Sequence, residues 1–166
     1  MNEDYIQFIN NIPKNAKVIN IGTGNRLHEE YKDKFNYTTC DLVERPGIDI
    51  VADCCDLPCE DEEYDVVLAI ALLEHVHRPW LAMKEFYRIL KPGGKLFVNA
   101  CWGQARHKDN HTADYWRFSD QGMNVLAEDA GFIIEHIKSI KWDKYDFIVD
   151  GVKQNNPSHY NLILKK

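Results

Sequence analysis

The chain has 166 residues, a mass of 19.4 kDa, 45% hydrophobic and 28% charged residues, and a net charge of −6. These values fit one globular domain with its own core, expected over residues 1–166, and they exclude a disordered, collagenous or coiled-coil chain. No apolar run approaches the ~20 residues that a bilayer span needs, and the negative balance disfavours a nucleic-acid partner.

Tyr5, Phe8, Ile9 and Ile12 repeat at i, i+3, i+4, i+7, which predicts a helix over about 4–12 closed by Pro13. Ala16–Ile21 is a β-branched run that predicts a strand stopping at Gly22-Thr23-Gly24. Leu27, Tyr31 and Phe35 recur every four residues and predict a helix opening after the glycines. Tyr37–Cys40 and Ile48–Ala52 predict two further strands, closed by Asp41 and Asp53. Only about six residues, Leu42 to Gly47, join them, where a parallel crossover takes ~10–12, so the helix expected there is reduced to a turn.

Tyr64–Ile70 is nearly continuous in apolar residues, as a strand buried on both faces would be. Ala82, Phe86, Ile89 and Leu90 form a helical stripe ended by Pro92-Gly93-Gly94, and Leu96–Ala100 is a fifth strand. Ser119 is the expected N-cap of a helix carrying Met123, Leu126, Ala127 and Ala130, with Gly131 just past its end. Phe132–Ile140 and Tyr160–Leu164 are the last strands, and the polar stretch Asp143–Ser158 reads as a loop between them. Strands alternating with helices predict an α/β chain with a mostly parallel sheet covered on both faces.

The N-terminus is acidic and no apolar leader follows it, so a cytoplasmic chain is expected. The five cysteines, Cys40, Cys54, Cys55, Cys59 and Cys101, match no disulfide framework. Cys54, Cys55 and Cys59 lack a second Cys-x-x-Cys pair, and they read as packing and loop thiols rather than metal ligands. His107 and His111 stand four apart, but Asp- and Asn-rich surroundings argue against the helix that would turn them into a metal pair.

Ligands in open α/β sheets bind beyond the carboxyl ends of strands. Gly22 and Gly24 stand at such an end, where bare backbone can approach a ligand closely. Asp41, closing the next strand, can accept from two vicinal ribose hydroxyls, and Asp53 can accept from an exocyclic amine such as that of adenine. Together these point to a nucleoside. The third glycine of the dinucleotide fingerprint is absent, since Asn25-Arg26 stands there.

Val18-Ile-Asn-Ile-Gly-Thr-Gly24, Cys40-Asp41, Ala52-Asp53-Cys54-Cys55-Asp56-Leu57-Pro58, Tyr64-Asp-Val-Val-Leu, Leu73-Glu74-His75-Val76 and Arg88-Ile-Leu-Lys-Pro-Gly-Gly-Lys-Leu96 follow one another over residues 16–100. In this order they resemble a class I S-adenosylmethionine-dependent methyltransferase. Asp114-Tyr115-Trp116-Arg117-Phe118-Ser119, followed by Ala130-Gly131-Phe132, is similar to a compact bacterial subset.

The resemblance implies a Rossmann-like, doubly wound, seven-stranded sheet with an antiparallel last strand. It implies S-adenosylmethionine as cofactor and S-adenosylhomocysteine as product. By position, Gly22 and Gly24 would face the methionine part, Asp41 the ribose, and Asp53 with the Cys54 N–H the adenine. Ile70, Ala71 and Leu72 would line the transferring methyl. Asn20 stands where the family usually has Asp; its amide can still hydrogen-bond the cofactor's amino or carboxylate group. Arg26 stands where the family has its next glycine.

His75, following the fourth strand, is the candidate general base, and its other reading is to orient a loop together with Glu74. Residues 102–118 form the expected acceptor loop, with Trp102, His111, Tyr115, Trp116 and Arg117 offering aromatic walls and charged handles to a small polar acceptor such as a small molecule, glycan or lipid precursor. Two alternatives stand beside this reading. One is a non-catalytic module binding the same nucleoside, motivated by Asn20 and Arg26. The other is an NAD(P)-dependent enzyme, against which the missing glycine and the Leu-Glu-His-Val block count.

Overall fold

The computed structural model describes residues 3–24, 31–106, 113–140, 147–149, 152–154 and 159–166. Helix α1 (Glu3–Asn11) turns Tyr5, Phe8 and Ile9 inward, as the spacing of its apolar residues requires. Strands β1 (Lys17–Ile21), β2 (Asn36–Asp41) and β3 (Ile50–Val51) follow. Then come β4 (Tyr64–Ile70), a single 3-10 turn at Leu73–His75, and helix α2 (Pro79–Ile89). Strand β5 (Leu90–Cys101), helix α3 (Asp120–Ala130) and strand β6 (Ile133–Ile140) complete the alternation. Two short strands, β7 (Phe147–Val149) and β8 (Val152–Gln154), precede the last strand, β9 (His159–Lys165).

Seven strands form one sheet in the order β3-β2-β1-β4-β5-β9-β6. β1 to β5 run parallel, and β9 inserts antiparallel between β5 and β6. The expected Rossmann-like α/β architecture with its antiparallel last strand is therefore present. Alternate residues of each strand feed opposite faces. Ile19, Ile21, Val67 and Val98 pack with Met83 and Phe86 of α2 and Met123 of α3. Val18, Val66, Leu68 and Phe97 pack with Tyr5, Phe8 and Ile9 of α1. Covering both faces is what makes the central strands continuously apolar.

Ser119 caps α3 by accepting from Gly122 N at 3.0 Å. The link from β2 to β3 contains no helix, as its length dictates. Thr39 holds this link instead, accepting from Asp49 N at 3.0 Å while donating to the Asp49 carboxylate at 2.8 Å.

Two expectations change. Pro92-Gly93-Gly94 does not separate a helix from a strand; Leu90 already pairs with Tyr64, the chain bulges outward, and pairing resumes at Val66 and Lys95. The stretch Asp143–Ser158 contains the antiparallel β7–β8 pair rather than only loop. The start of the helix expected around Leu27 lies outside the described residues. No helix among the described residues is long and apolar enough to cross a membrane.

Candidate nucleoside site at the strand tips

At the carboxyl ends of β1, β2, β3 and β4 lies a cavity of about 380 Å³, a size suited to a small organic ligand. Gly22 and Gly24 border it with φ of 73° and 58°. At Gly22 a side chain would be both strained and obstructed, since a Cβ would lie 2.6 Å from Leu72 Cδ1. At Gly24 a Cβ would meet nothing within 4 Å among the described residues, so the backbone there is open toward the cavity. Gly22 N and Thr23 N both donate to Cys40 O, at 2.9 and 3.3 Å, which ties the bend to the tip of β2.

Asp41 is buried beside this bend. Its Oδ2 accepts from Gly24 N at 2.7 Å, and its Oδ1 accepts from Val43 N and Arg45 Nη1, both at 3.0 Å. A carboxylate offers about four acceptor positions, so the Asp41 carboxylate, with three donors, can take one more at Oδ2. Asp53 is exposed at the next strand tip, its Oδ1 accepting from Cys55 N at 2.9 Å. Burial, then the neighbouring Cys55 and Asp53, pushes the Cys54 thiol far above its usual range. Burial likewise lifts the Cys40 thiol to about 12. Neither thiol is a nucleophile near neutral pH.

The tip of β4 supplies the floor. Ala71 carries a positive φ of 49°, rare for a residue with a Cβ, and its N donates to Asn99 O at 3.0 Å. This turn delivers Leu72 and then His75 to the cavity. His75 Nδ1 lies 2.6 Å from Ala113 O. A carbonyl oxygen only accepts, so Nδ1 carries the proton, and in the neutral ring Nε2 carries the lone pair. Glu74, fully buried, accepts at its carbonyl from Tyr115 N at 2.8 Å and Trp116 N at 3.3 Å. Trp116 Nε1 donates to Val76 O at 2.8 Å. Residues 113–116 are thus fastened to the turn that bears His75.

Of the residues singled out in the sequence, Gly22, Gly24, Asp41, Asp53, Cys54, Ala71, Leu72, His75 and Tyr115 line this cavity. Asn20 is buried one residue before the end of β1. Ile70 packs toward the α1 side of the sheet. Trp116 stacks edge-on against Trp80, with centroids 6.1 Å apart. Arg117 is committed to Asp114, whose side chain is fully buried, and to the carbonyls of Gln104, Ala105 and Trp116. Trp102 is half-buried just past β5 and borders no described cavity. His111, His107 and Arg26 lie outside the described residues.

Arg45, His77 and Arg78 also line the cavity, and none was singled out from the sequence. Arg45 was the most accessible to sequence reasoning, since it stands four residues after Asp41 with the opposite charge. His77 meets Tyr115 edge-on at 5.4 Å.

Comparison with known proteins agrees with this architecture. The methyltransferase-domain family matches residues 19–98. The chain is 45% identical over 49 residues to a sterol 4-C-methyltransferase of Caenorhabditis elegans, covering 30% of this chain and 15% of that protein. It is 27% identical over 121 residues to a tRNA (carboxymethyluridine(34)-5-O)-methyltransferase of Arabidopsis thaliana, covering 66% of this chain and 29% of that one. The chain thus spans less than a third of either relative. Its fold superposes with a TM-score of 0.72 on the Burkholderia thailandensis 1,6-didemethyltoxoflavin-N1-methyltransferase, solved with its acceptor and S-adenosylhomocysteine, at 17% identity and covering 92% of this chain and 72% of that one. Over residues 19–98 the chain thus carries the methyltransferase-domain pattern, on a seven-stranded sheet with the fold of the S-adenosylmethionine-dependent methyltransferases.

Proposed function

We propose that the chain transfers a methyl group from S-adenosylmethionine to a small polar acceptor. The observation carrying this reading is Asp41, held between the Gly24 N–H and Arg45 at the mouth of the strand-tip cavity with acceptor capacity left at Oδ2. That capacity suits a ribose hydroxyl, and the open backbone at Gly24 suits the chain beyond it. Asp53 and the Cys54 N–H would flank the adenine, while Ala71 and Leu72 would border the methyl. Asn20 and Ile70 complete the set, Asn20 toward the amino-acid end and Ile70 at the base of the methyl-facing turn.

When bound, the cofactor supplies a sulfonium methyl that is already activated. The protein's work is then to place the acceptor in line and keep water out of the way. His75 Nε2 takes the acceptor's proton where the acceptor is a hydroxyl or protonated amine, with the ring orientation held by Ala113 O. His77, Arg78 and Tyr115 stand beside it as donors to a polar or anionic acceptor, whereas Asp41 and Asp53 stand at the neighbouring strand tips. Trp102, His111, Trp116 and Arg117 belong to the same acceptor-side segment, Arg117 by bracing it through Asp114. The net charge of −6 speaks for a small acceptor rather than a nucleic acid.

Calorimetric titration with S-adenosylhomocysteine tests the reading. Saturable one-to-one binding that weakens in Asp41→Ala supports it. No heat with the wild-type chain, or equal affinity in the variant, overturns it.

A further inference from the structure

We propose that Asp53, Cys54 and Cys55 form a binding site for a thiophilic divalent cation of the zinc and cadmium class, whose occupation excludes the nucleoside. The exclusion rests on the function proposed above; the cation site does not.

The three residues lie in one turn, closed by Asp56 N donating to Asp53 O at 3.0 Å. One donor atom from each, a carboxylate oxygen and two sulfurs, lies within 4.8 Å of the other two. Zinc–sulfur bonds of about 2.3 Å put tetrahedral ligands roughly 3.8 Å apart. The donors therefore close on an ion with shifts of about 1 Å or less, within the reach of side-chain rotation. All three residues line the cavity, so an ion can enter and a water can complete the fourth position.

The electrostatics also suit a cation. Asp53 Oδ1 accepts from Cys55 N at 2.9 Å, and no Lys or Arg forms an ion pair with this carboxylate among the described residues. A cysteine thiol is mostly protonated near neutral pH, so the metal-free cluster carries two S–H protons. Binding exchanges them: two S–H bonds break, two sulfur–metal bonds form, and two protons leave to solvent. No electron changes hands. Affinity must therefore rise with pH. Cys40 and Cys59 fall outside the three-donor group. The sequence lacks the paired Cys-x-x-Cys of zinc fingers because here three consecutive residues supply the donors.

The test is titration of the reduced, metal-free full chain with Cd²⁺, read by thiolate-to-metal charge-transfer absorption and followed by competition with Zn²⁺. One equivalent should bind through two thiolates, and Zn²⁺ in large excess should displace it. Cys54→Ser and Cys55→Ser should each weaken binding at least tenfold, Asp53→Asn should weaken it with both thiols intact, and Cys59→Ser should leave it unchanged. Absence of the band, or its persistence in a Cys54→Ser/Cys55→Ser chain whose circular dichroism is native, overturns the site. Saturating S-adenosylhomocysteine should raise the apparent dissociation constant for Cd²⁺, and equal affinity with and without it overturns the exclusion. Failure of S-adenosylhomocysteine to bind the metal-free chain would instead remove the nucleoside reading and leave the cation titration standing.

Discussion

Two cavities open at opposite ends of the central sheet, and the larger one is not the better candidate. The cavity at the amino ends of β4 and β5, about 700 Å³, is bordered by α1, Asp65 and the Lys91–Lys95 bulge. Its charges satisfy one another: Lys91 pairs with Asp65 at 2.8 Å and Lys95 with Glu135 at 2.6 Å. The carboxyl-end cavity is smaller, about 380 Å³, yet it holds a positive-φ alanine and an acid with acceptor capacity to spare. Backbone strain and unspent hydrogen-bonding capacity mark a site for a ligand, whereas volume marks only where helices and strands fail to meet.

Breaking this contrast starts with His75. His75→Ala should slow transfer by about 10²–10⁴-fold, measured with any acceptor the wild-type chain methylates, while S-adenosylhomocysteine affinity holds within about threefold. An unchanged rate would leave the imidazole only the task of holding Ala113. Asp41→Ala should lose about 1.5–3 kcal/mol of binding through its charged hydrogen bonds, roughly 10–150-fold in calorimetry. Gly22→Ala combines left-handed strain with displacement of Leu72, together about 2–3 kcal/mol of folding stability, and because Leu72 borders the cavity it should also weaken S-adenosylhomocysteine binding in calorimetry. Gly93 provides the matched control at the other end, with φ of 80° and nothing within 4 Å of a Cβ. Gly93→Ala should lower thermal stability by about 1 kcal/mol and leave affinity unchanged; equal losses of affinity in both glycine variants would erase the distinction between the two ends.

The smallest expected effect is one of pH. Burial opposes ionisation of Asp65, but hydrogen bonds from Lys91 and from Lys17 N outweigh it and hold the carboxyl below its ordinary range. A lowered folded pKa adds stability that is fully present above the ordinary carboxylate value near ~4 and is lost as pH falls through the folded one. Asp65→Asn should therefore blunt the acid limb of a denaturation profile below about pH 4. Partners that are 43% and 38% exposed keep the change under about 1 kcal/mol.

Much of this architecture could be read from residues. Continuous apolar strands such as Tyr64–Ile70 and the stripe ending at Ile89 declare themselves because burial on two faces leaves little choice of side chain. The glycine bend and the acids at strand tips were readable because the strand-end rule assigns position and chemistry together. What escaped depends on where loops return. Arg45, His77 and Arg78 reach the cavity from irregular segments that carry no periodicity. Arg117 reads as a charged handle, and the opposite charge three residues before it, Asp114, is the local signal that it also braces its own segment. The β7–β8 pair is short, and hydrophobic alternation cannot announce three-residue strands.

The two rims of the sheet carry a last consequence. One rim is β3, only two residues long, and the other is β6, eight residues interrupted by an irregularity between Ile134 and His136 and carrying Glu135 and Lys138. A neighbouring chain seeking to extend the sheet finds too short a template at the first and a kinked, charged one at the second. The short β3 that ends two residues before Asp53, at the border of the cavity, thus also offers little edge on which a fibril could grow.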